Sequence, residues 1–401
     1  DSLYNNLAVL YSDTQRFKES EDMHKAAIEI RERLAKDNPK AYESDLAGSY
    51  NNLALLYYKI HRFDESEKMN KAAIEIHERL VKENPKAYEP DLAISYNNFA
   101  LLYNEIQRHD ESEKIYKAAI EIQERLVKEN PKAYEPDLAK SYDNLASLYV
   151  KIQCLDESEK MLKAAIEIRE RLAKENPKAY KPDLATSYNN LAVLYSDIQC
   201  FDESEKIYKE AIEIRERLAK EYPKAYEPDL AFSYCRLANL YYYIQRYDES
   251  EKIYKEAIEI QERLVKDNPE AYEPDLAVSY NNLANLYYYI QRYEESEKMF
   301  KAAIEIRERL AKESPKAYEP DLAYSYYKLA LLYNEKQHYD ESEKMYKTAI
   351  EIQERLVKDN PKAYEPYLAM SYNNLAILYY TIQRLEESEK MFKAAIEIQE
   401  Q

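Results

Sequence analysis

A single glycine, Gly48, stands in 401 residues, and tryptophan is absent. One glycine cannot build a glycine-rich phosphate loop, which needs several points where backbone approaches phosphate without a Cβ. Cysteine is scarce: Cys154, Cys200 and Cys235 form no C-x-x-C pair. Cys154 and Cys200 share one phase of a repeating pattern, and stacked helices lie roughly 8–10 Å apart, beyond the about 7 Å reach of a disulfide. All three are expected as free thiols. The five histidines (His24, His61, His77, His109 and His338) are scattered singly, without metal-ligand spacing, so no metal or cofactor is expected. No run of about 18 apolar residues exists, so no transmembrane helix and no membrane partner are expected. The net charge of −18 argues against a nucleic-acid partner, because phosphate binding needs basic stripes.

What is present is one phrase said nine times. The triplet Asp-Leu-Ala begins at Asp45, Asp91, Asp137, Asp183, Asp229, Asp275 and Asp321, with Tyr367 in place of the next Asp, at a constant step of 46 residues. The units are 1–46, 47–92, 93–138, 139–184, 185–230, 231–276, 277–322, 323–368 and 369–401. A constant period means units that stack on one another, so a single solenoid over 1–401 is expected.

All fifteen prolines lie in the joints. One set is Pro39, Pro85, Pro131, Pro177, Pro223, Pro269, Pro315 and Pro361. The other precedes the triplet, from Pro90 to Pro366. Helix interiors exclude proline and first turns accept it. Each joint is therefore expected to end one helix at its first proline and start the next at its second. Between joints the pattern is helical. In the third unit Leu92, Tyr96, Phe99, Ala100 and Tyr103 recur at three- and four-residue steps, giving an amphipathic helix A. Asp110 is expected as the N-cap of helix B, with Glu113 completing a capping-box-like pair. Helix B follows with Ser112, Ile115, Tyr116, Ala119, Ile122 and Leu126 on one stripe. Each unit reads as a helical hairpin whose apolar stripes are buried only by stacking, and the fold class is all-α.

The run Tyr96, Phe99-Ala100, Tyr103, Ser112, Tyr116, Ala119-Ile120 resembles the signature of the tetratricopeptide repeat. The long period is similar to the extended subtype of kinesin light chain. The resemblance implies a right-handed superhelical α-solenoid, here of eighteen helices, with the A helices lining a concave groove that takes extended peptides or short helices. Departures are present: Ala replaces the family's helix-A glycine, Gln107 or His61 replaces the turn glycine, and Ser112 replaces the small Ala of helix B.

On that reading, helix-A columns that vary mark the ligand site. One column is Asn6, Asn52, Asn98, Asn144, Asn190, Arg236, Asn282, Lys328, Asn374, and its neighbour runs from Asn5 through Cys235, Asn281 and Tyr327 to Asn373. Asparagine is a mediocre helix former, and its amide offers a donor and an acceptor to a peptide backbone or to a neighbouring helix. Units six and seven carry "LYYYIQRY" twice, placing Tyr242 and Tyr288 where other units have Ser, Asn, Val or Tyr, and Tyr243 and Tyr289 where they have Asp, Lys, Glu or Thr. Tyrosines beside cations form interaction hot spots. The expected partner-binding residues are Phe232, Arg236, Asn239, Tyr242, Tyr243, Asn281, Asn282, Asn285, Tyr288, Tyr289, Tyr324, Tyr327 and Lys328. Packing between helices is the alternative for these tyrosines.

No catalytic constellation emerges. Carboxylates alternate with Lys and Arg as on solvated helix faces. The leading expectation is a non-catalytic scaffold for a protein or peptide partner. Two alternatives remain: a structural protein stacking end to end with other copies into a filament, and a sensor or oligomerisation arm of a larger protein. Near-identical repeats favour the filament, and the last stripe, Phe392, Ala395, Ile396 and Ile398, is expected to meet either a further segment or another copy.

Overall fold

The structure, a computed structural model, describes residues 2–14 and 16–400. Its described residues form eighteen α-helices and no strand. They divide into two compact units, Asp1–Ile207 and Tyr208–Gln401, the division falling within one helix. In the first unit lie α1 (Ser2–Asp13), α2 (Phe17–Asp37), α3 (Pro39–Lys59), α4 (Phe63–Glu83), α5 (Pro85–Glu105), α6 (His109–Glu129), α7 (Pro131–Lys151), α8 (Leu155–Glu175) and α9 (Pro177–Asp197). Helix α10 (Phe201–Glu221) contains the division. The second unit continues with α11 (Pro223–Tyr243), α12 (Tyr247–Asp267), α13 (Pro269–Tyr289), α14 (Tyr293–Glu313), α15 (Pro315–Glu335), α16 (Tyr339–Asp359), α17 (Pro361–Thr381) and α18 (Leu385–Gln399). Odd-numbered helices are A and even-numbered are B.

The joints differ from expectation. Helix A starts at the first proline, which takes the N1 position, and runs through the second. Pro85 gives up a donor that has no intrahelical partner anyway. Pro90 lies inside α5 and leaves the Lys86 carbonyl without a helical donor, at a surface position where water can serve. The residue before the first proline sits in an extended conformation, as Asn84 does at φ −146°, and this one-residue kink turns B into the next A.

The start of helix B also differs. Arg108, not Asp110, is the N-cap of α6, and no side chain caps it. Asp110 and Glu111 sit in the first turn, where the helix dipole favours negative charge, and Arg108 reaches Glu111 Oε1 at 3.0 Å. The A–B turn is a Schellman motif: Arg108 N donates to Tyr103 O at 2.8 Å and Gln107 N to Asn104 O at 3.3 Å. Its left-handed residue is Gln107 at φ 61°, and His61, Gln153, Gln199, Gln245, Gln291, Gln337 and Gln383 do the same. The tight turn survives the loss of glycine at the cost of a strained Cβ.

The serine of helix B closes each hairpin. Ser112 Oγ donates to Ala100 O at 2.7 Å, and Ser66, Ser158, Ser204, Ser250, Ser296, Ser342 and Ser388 bond their equivalents at 2.8, 3.0, 2.7, 2.8, 2.8, 2.8 and 2.9 Å. An alanine there would pack as closely but leave the site without this bond. The core between hairpins is Leu, Ile, Ala and Tyr; around α13, for example, Tyr254, Leu283, Leu286 and Tyr287 pack against Ile306 and Leu310. The three cysteines are free.

Candidate partner-binding face

One column of A-helix amides turns inward. Asn5 Nδ2 donates to Ser49 Oγ of the next unit at 3.2 Å, Asn51 to Ser95 at 2.8 Å and Asn97 to Ser141 at 2.5 Å. The second compact unit repeats the rung with Cys235 Sγ and Ser279 Oγ at 3.1 Å, and with Ser325 Oγ donating to Asn281 Oδ1 at 3.2 Å. Helix B reaches the same serines: His77 Nδ1 lies 2.8 Å from Ser95 Oγ, Arg31 Nη1 2.5 Å from Ser49 Oγ, and Arg307 bonds Ser325. This column holds the stack together. Asn281 is buried in it and Tyr327 is buried in the core, so the expectation that they meet a ligand is corrected. Asn239 is also engaged, accepting from the hydroxyl of buried Tyr254.

The neighbouring column faces out. Asn282 is half-buried, Arg236 is exposed and Lys328 half-buried. The Arg236 guanidinium lies 4.8 Å from the Phe232 ring centre, and Lys328 Nζ lies 5.4 Å from that of Tyr324. Burial pulls the Lys328 ammonium below the usual lysine range. Neither cation has a carboxylate partner among the described residues. Asn285 is half-buried beside Tyr324. It is available because the core residue at the position of Tyr254 is here Phe300, which has no hydroxyl to satisfy.

The two Tyr-Tyr pairs divide their labour. Tyr243 is 69% exposed and Tyr289 56% exposed, while Tyr242 and Tyr288 are half-buried and pack on the core. The second ring of each pair is therefore the more exposed of the two. The rings cluster: Tyr242 lies 5.8 Å from Tyr243 and 5.9 Å from Tyr289, centre to centre. Tyr247 joins at 5.3 Å from Tyr289, and Tyr293 stands 6.1 Å from Tyr288. Sequence reasoning passed over Tyr247 and Tyr293, the first residues of α12 and α14. The signal was the Tyr ending each "LYYYIQRY", which the A–B turn folds back onto the pair before it.

In the first unit the same column carries charge: Lys59, Glu105 and Lys151, with Lys151 Nζ 3.7 Å from Glu105 Oε2. Phe232, at 47% exposure, and Tyr324, at 37%, extend the aromatic surface of the second unit along the A helices. The face combines exposed rings, two cations without carboxylate partners among the described residues and the half-buried amides of Asn282 and Asn285. Among the described residues no cluster of three or more His, Cys, Asp or Glu could hold a metal ion. Among the described residues no helix is long and apolar enough to cross a membrane either.

Models of the tetratricopeptide repeat match residues 2–39, 45–125, 137–217, 183–263, 229–309, 275–355 and 321–401. Among solved structures, BtubC (BKLC) from P. vanneervenii is similar at 24% identity and a TM-score of 0.52, over 63% of this chain and 92% of that one. The apo form of the quorum sensor NprR from B. thuringiensis is similar at 18% identity and a TM-score of 0.54, over 97% and 99%. A signal-transduction ATPase of Pyrococcus horikoshii with a tetratricopeptide repeat sensor is similar at 14% identity and a TM-score of 0.56, over 94% of this chain and 52% of that one. At these identities the likeness is one of fold. No curated protein sequence matches the chain.

Proposed function

The chain belongs to the tetratricopeptide repeat family, and we propose that it is a protein-interaction scaffold that takes an extended segment of a partner along the A helices of α11, α13 and α15. Phe232, Arg236, Tyr243, Asn282, Asn285, Tyr289, Tyr324 and Lys328 make the contacts. Tyr242 and Tyr288 support the exposed rings from behind.

The observation that carries this reading is the replacement at one column of the charged ladder Lys59, Glu105 and Lys151 by the exposed rings of Tyr243 and Tyr289, while the core column of Tyr57, Tyr103, Tyr149, Tyr241 and Tyr287 keeps its residue. Exposed aromatic rings on a rigid scaffold lose little entropy on binding and offer large contact area. Arg236 and Lys328, lacking carboxylates of their own, favour a segment that brings acidic groups.

The test is selection from a random peptide library on the intact chain. Recovered peptides should compete with one another for one site and should be rich in acidic and apolar residues. Peptides that bind equally well after Tyr243→Ala and Tyr289→Ala would contradict the proposal.

A further inference from the structure

Six units carry an arginine just before helix B: Arg16, Arg62, Arg108, Arg246, Arg292 and Arg384. Each guanidinium carbon lies 4.0–4.5 Å from the ring centre of the helix-A tyrosine five residues before it, Tyr103 for Arg108. Each guanidinium also pairs with the glutamate three residues on, at 2.7–3.0 Å. Arg62, Arg108 and Arg292 reach back to Glu21, Glu67 and Glu251 of the preceding helix B at 2.8, 3.3 and 2.7 Å. A ring face and two carboxylates make a slot shaped for one guanidinium. Three units lack the arginine, with Cys154, Cys200 and His338 in its place. In the last of these Lys336 takes over, its Nζ 2.6 Å from Glu297 Oε2. The other two have Ile152 and Ile198 at the position of Lys336, so their slots receive neither cation.

The walls of these two slots are kept. The Tyr149 hydroxyl donates to Glu113 at 3.1 Å, as that of Tyr103 does to Glu67 at 3.0 Å. Lys117 pairs with Glu113 at 2.7 Å, just as Lys71 pairs with Glu67 at 2.7 Å beside Arg108, so this lysine does not stand in for the arginine. Glu157 turns to the exposed Lys160 at 3.0 Å. The carboxylates are uncovered: Glu113 and Glu159 are 29% and 28% exposed, against 15–21% for Glu21, Glu67, Glu251, Glu297 and Glu343. Tyr195 is half-buried where Tyr57, Tyr103, Tyr241, Tyr287 and Tyr379 are buried, and Lys163 Nζ stays 6.0 Å from its ring centre. The slot at Cys154 opens into a groove of about 640 Å³ between α6 and α8, floored by α7. Glu113, Glu121, Glu124 and Glu157 line that groove against the single cation Lys117, a balance that favours a cationic partner.

We propose that the slots at Cys154 and Cys200 take two arginine side chains of a basic partner segment, each guanidinium stacking on Tyr149 or Tyr195 and bonding the flanking glutamates as the chain's own arginines do elsewhere. Two like slots one unit apart, the first opening into a groove larger than one guanidinium fills, favour a segment over a free guanidinium compound. The site goes beyond the partner-binding reading: it shares no residue with the face on α11, α13 and α15, and it takes the opposite charge.

The test is fluorescence anisotropy of a labelled glycine-serine peptide carrying two arginines, on the intact chain at about 0.1 M salt, where exposed charges more than ~10 Å apart are screened. The arginines are set three residues apart, because stacked helices lie roughly 10 Å from one another and an extended residue spans about 3.3 Å. Saturable binding is expected, at least about fivefold weaker for the same peptide with lysines, since an ammonium cannot stack and fork at once. Cys154→Arg and Cys200→Arg restore the residue of the sister units and fill the slots from within, and each should weaken binding about tenfold. Cys154→Ala leaves its slot open and should bind as the parent does. Ser147→Arg, which adds the same charge at an exposed position of α7, should also bind as the parent does. Absence of binding at millimolar peptide overturns the proposal. So does equal binding of the lysine peptide, or equal affinity for the Ser147→Arg and Cys154→Arg chains. N-acetylarginine methylamide binding as tightly as the peptide overturns the assignment to a segment and gives the slots to a free guanidinium compound. Tyr243→Ala should not alter this peptide's affinity, so failure here and failure at the aromatic face are separate results.

Discussion

The hydroxyl of Tyr254, deep in the second compact unit, donates to the side-chain oxygen of Asn239, whereas the equivalent hydroxyl of Tyr116 in the first unit is buried with no partner. The difference lies in one A-helix position, Asn239 in one unit and Leu101 in the other. A satisfied buried hydroxyl contributes about 1 kcal/mol and an unsatisfied one costs a similar amount. Tyr254→Phe should therefore lower stability by about 1 kcal/mol, and Tyr116→Phe should leave it unchanged or raise it by up to about 1 kcal/mol. Urea midpoints of the two variants would show the opposite signs; a loss of stability in both would contradict the account.

The A–B turns give a second expectation. Gln245 holds φ 63° at its turn. A residue with a Cβ costs about 1–2 kcal/mol in that conformation, and glycine gives back about 0.4–1 kcal/mol through the freer unfolded chain. Gln245→Gly should stabilise the protein by roughly 0.5–1 kcal/mol. Thermal unfolding of the variant checks the sign.

Hairpins, period and the main apolar columns are legible in the sequence because they follow from spacing alone. Helix limits are less so. Pro90 reads as a helix start, yet α5 already begins at Pro85, since a second proline in an exposed early turn removes one bond that water replaces. Asp110 reads as a cap, yet the helix begins one residue before it with its polar ends met by Arg108 and the dipole. The site was half legible. Exposure of Phe232, Tyr243, Tyr289 and Tyr324 follows from their columns. The inward turn of Asn281 and Tyr327 does not, because the amide column is one residue away from the exposed one and both are asparagine-rich. Ser112 reads as a mere small residue until its bond to the Ala100 carbonyl is seen.

Acid should loosen the second unit through Glu297. Burial alone would raise its carboxyl, but hydrogen bonds and charge from Lys301 and Lys336 overcome this and hold it at about 2, against an ordinary 4.5. Lys336 Nζ lies 2.6 Å from Glu297 Oε2. A depressed carboxylate contributes stability that is fully present above about pH 4.5 and is lost as pH falls toward 2. Allowing for solvent screening, Glu297→Gln should cost about 1–2 kcal/mol at neutral pH. The gap between variant and parent should close between pH 4.5 and 2. A gap that stays constant across that window would contradict the assignment.

The central claim is that the exposed rings of α11 and α13 bind a partner segment, and the direct measurement is the affinity of a library-selected peptide for parent and variant chains by fluorescence anisotropy. Each hot ring should be worth about 1–2 kcal/mol, so Tyr243→Ala and Tyr289→Ala should each weaken binding by roughly five- to thirtyfold. Lys59→Ala, at the same column of the charged ladder in the first unit, should leave it unchanged. Equal affinities for all four chains, or a loss confined to Lys59→Ala, would contradict the account.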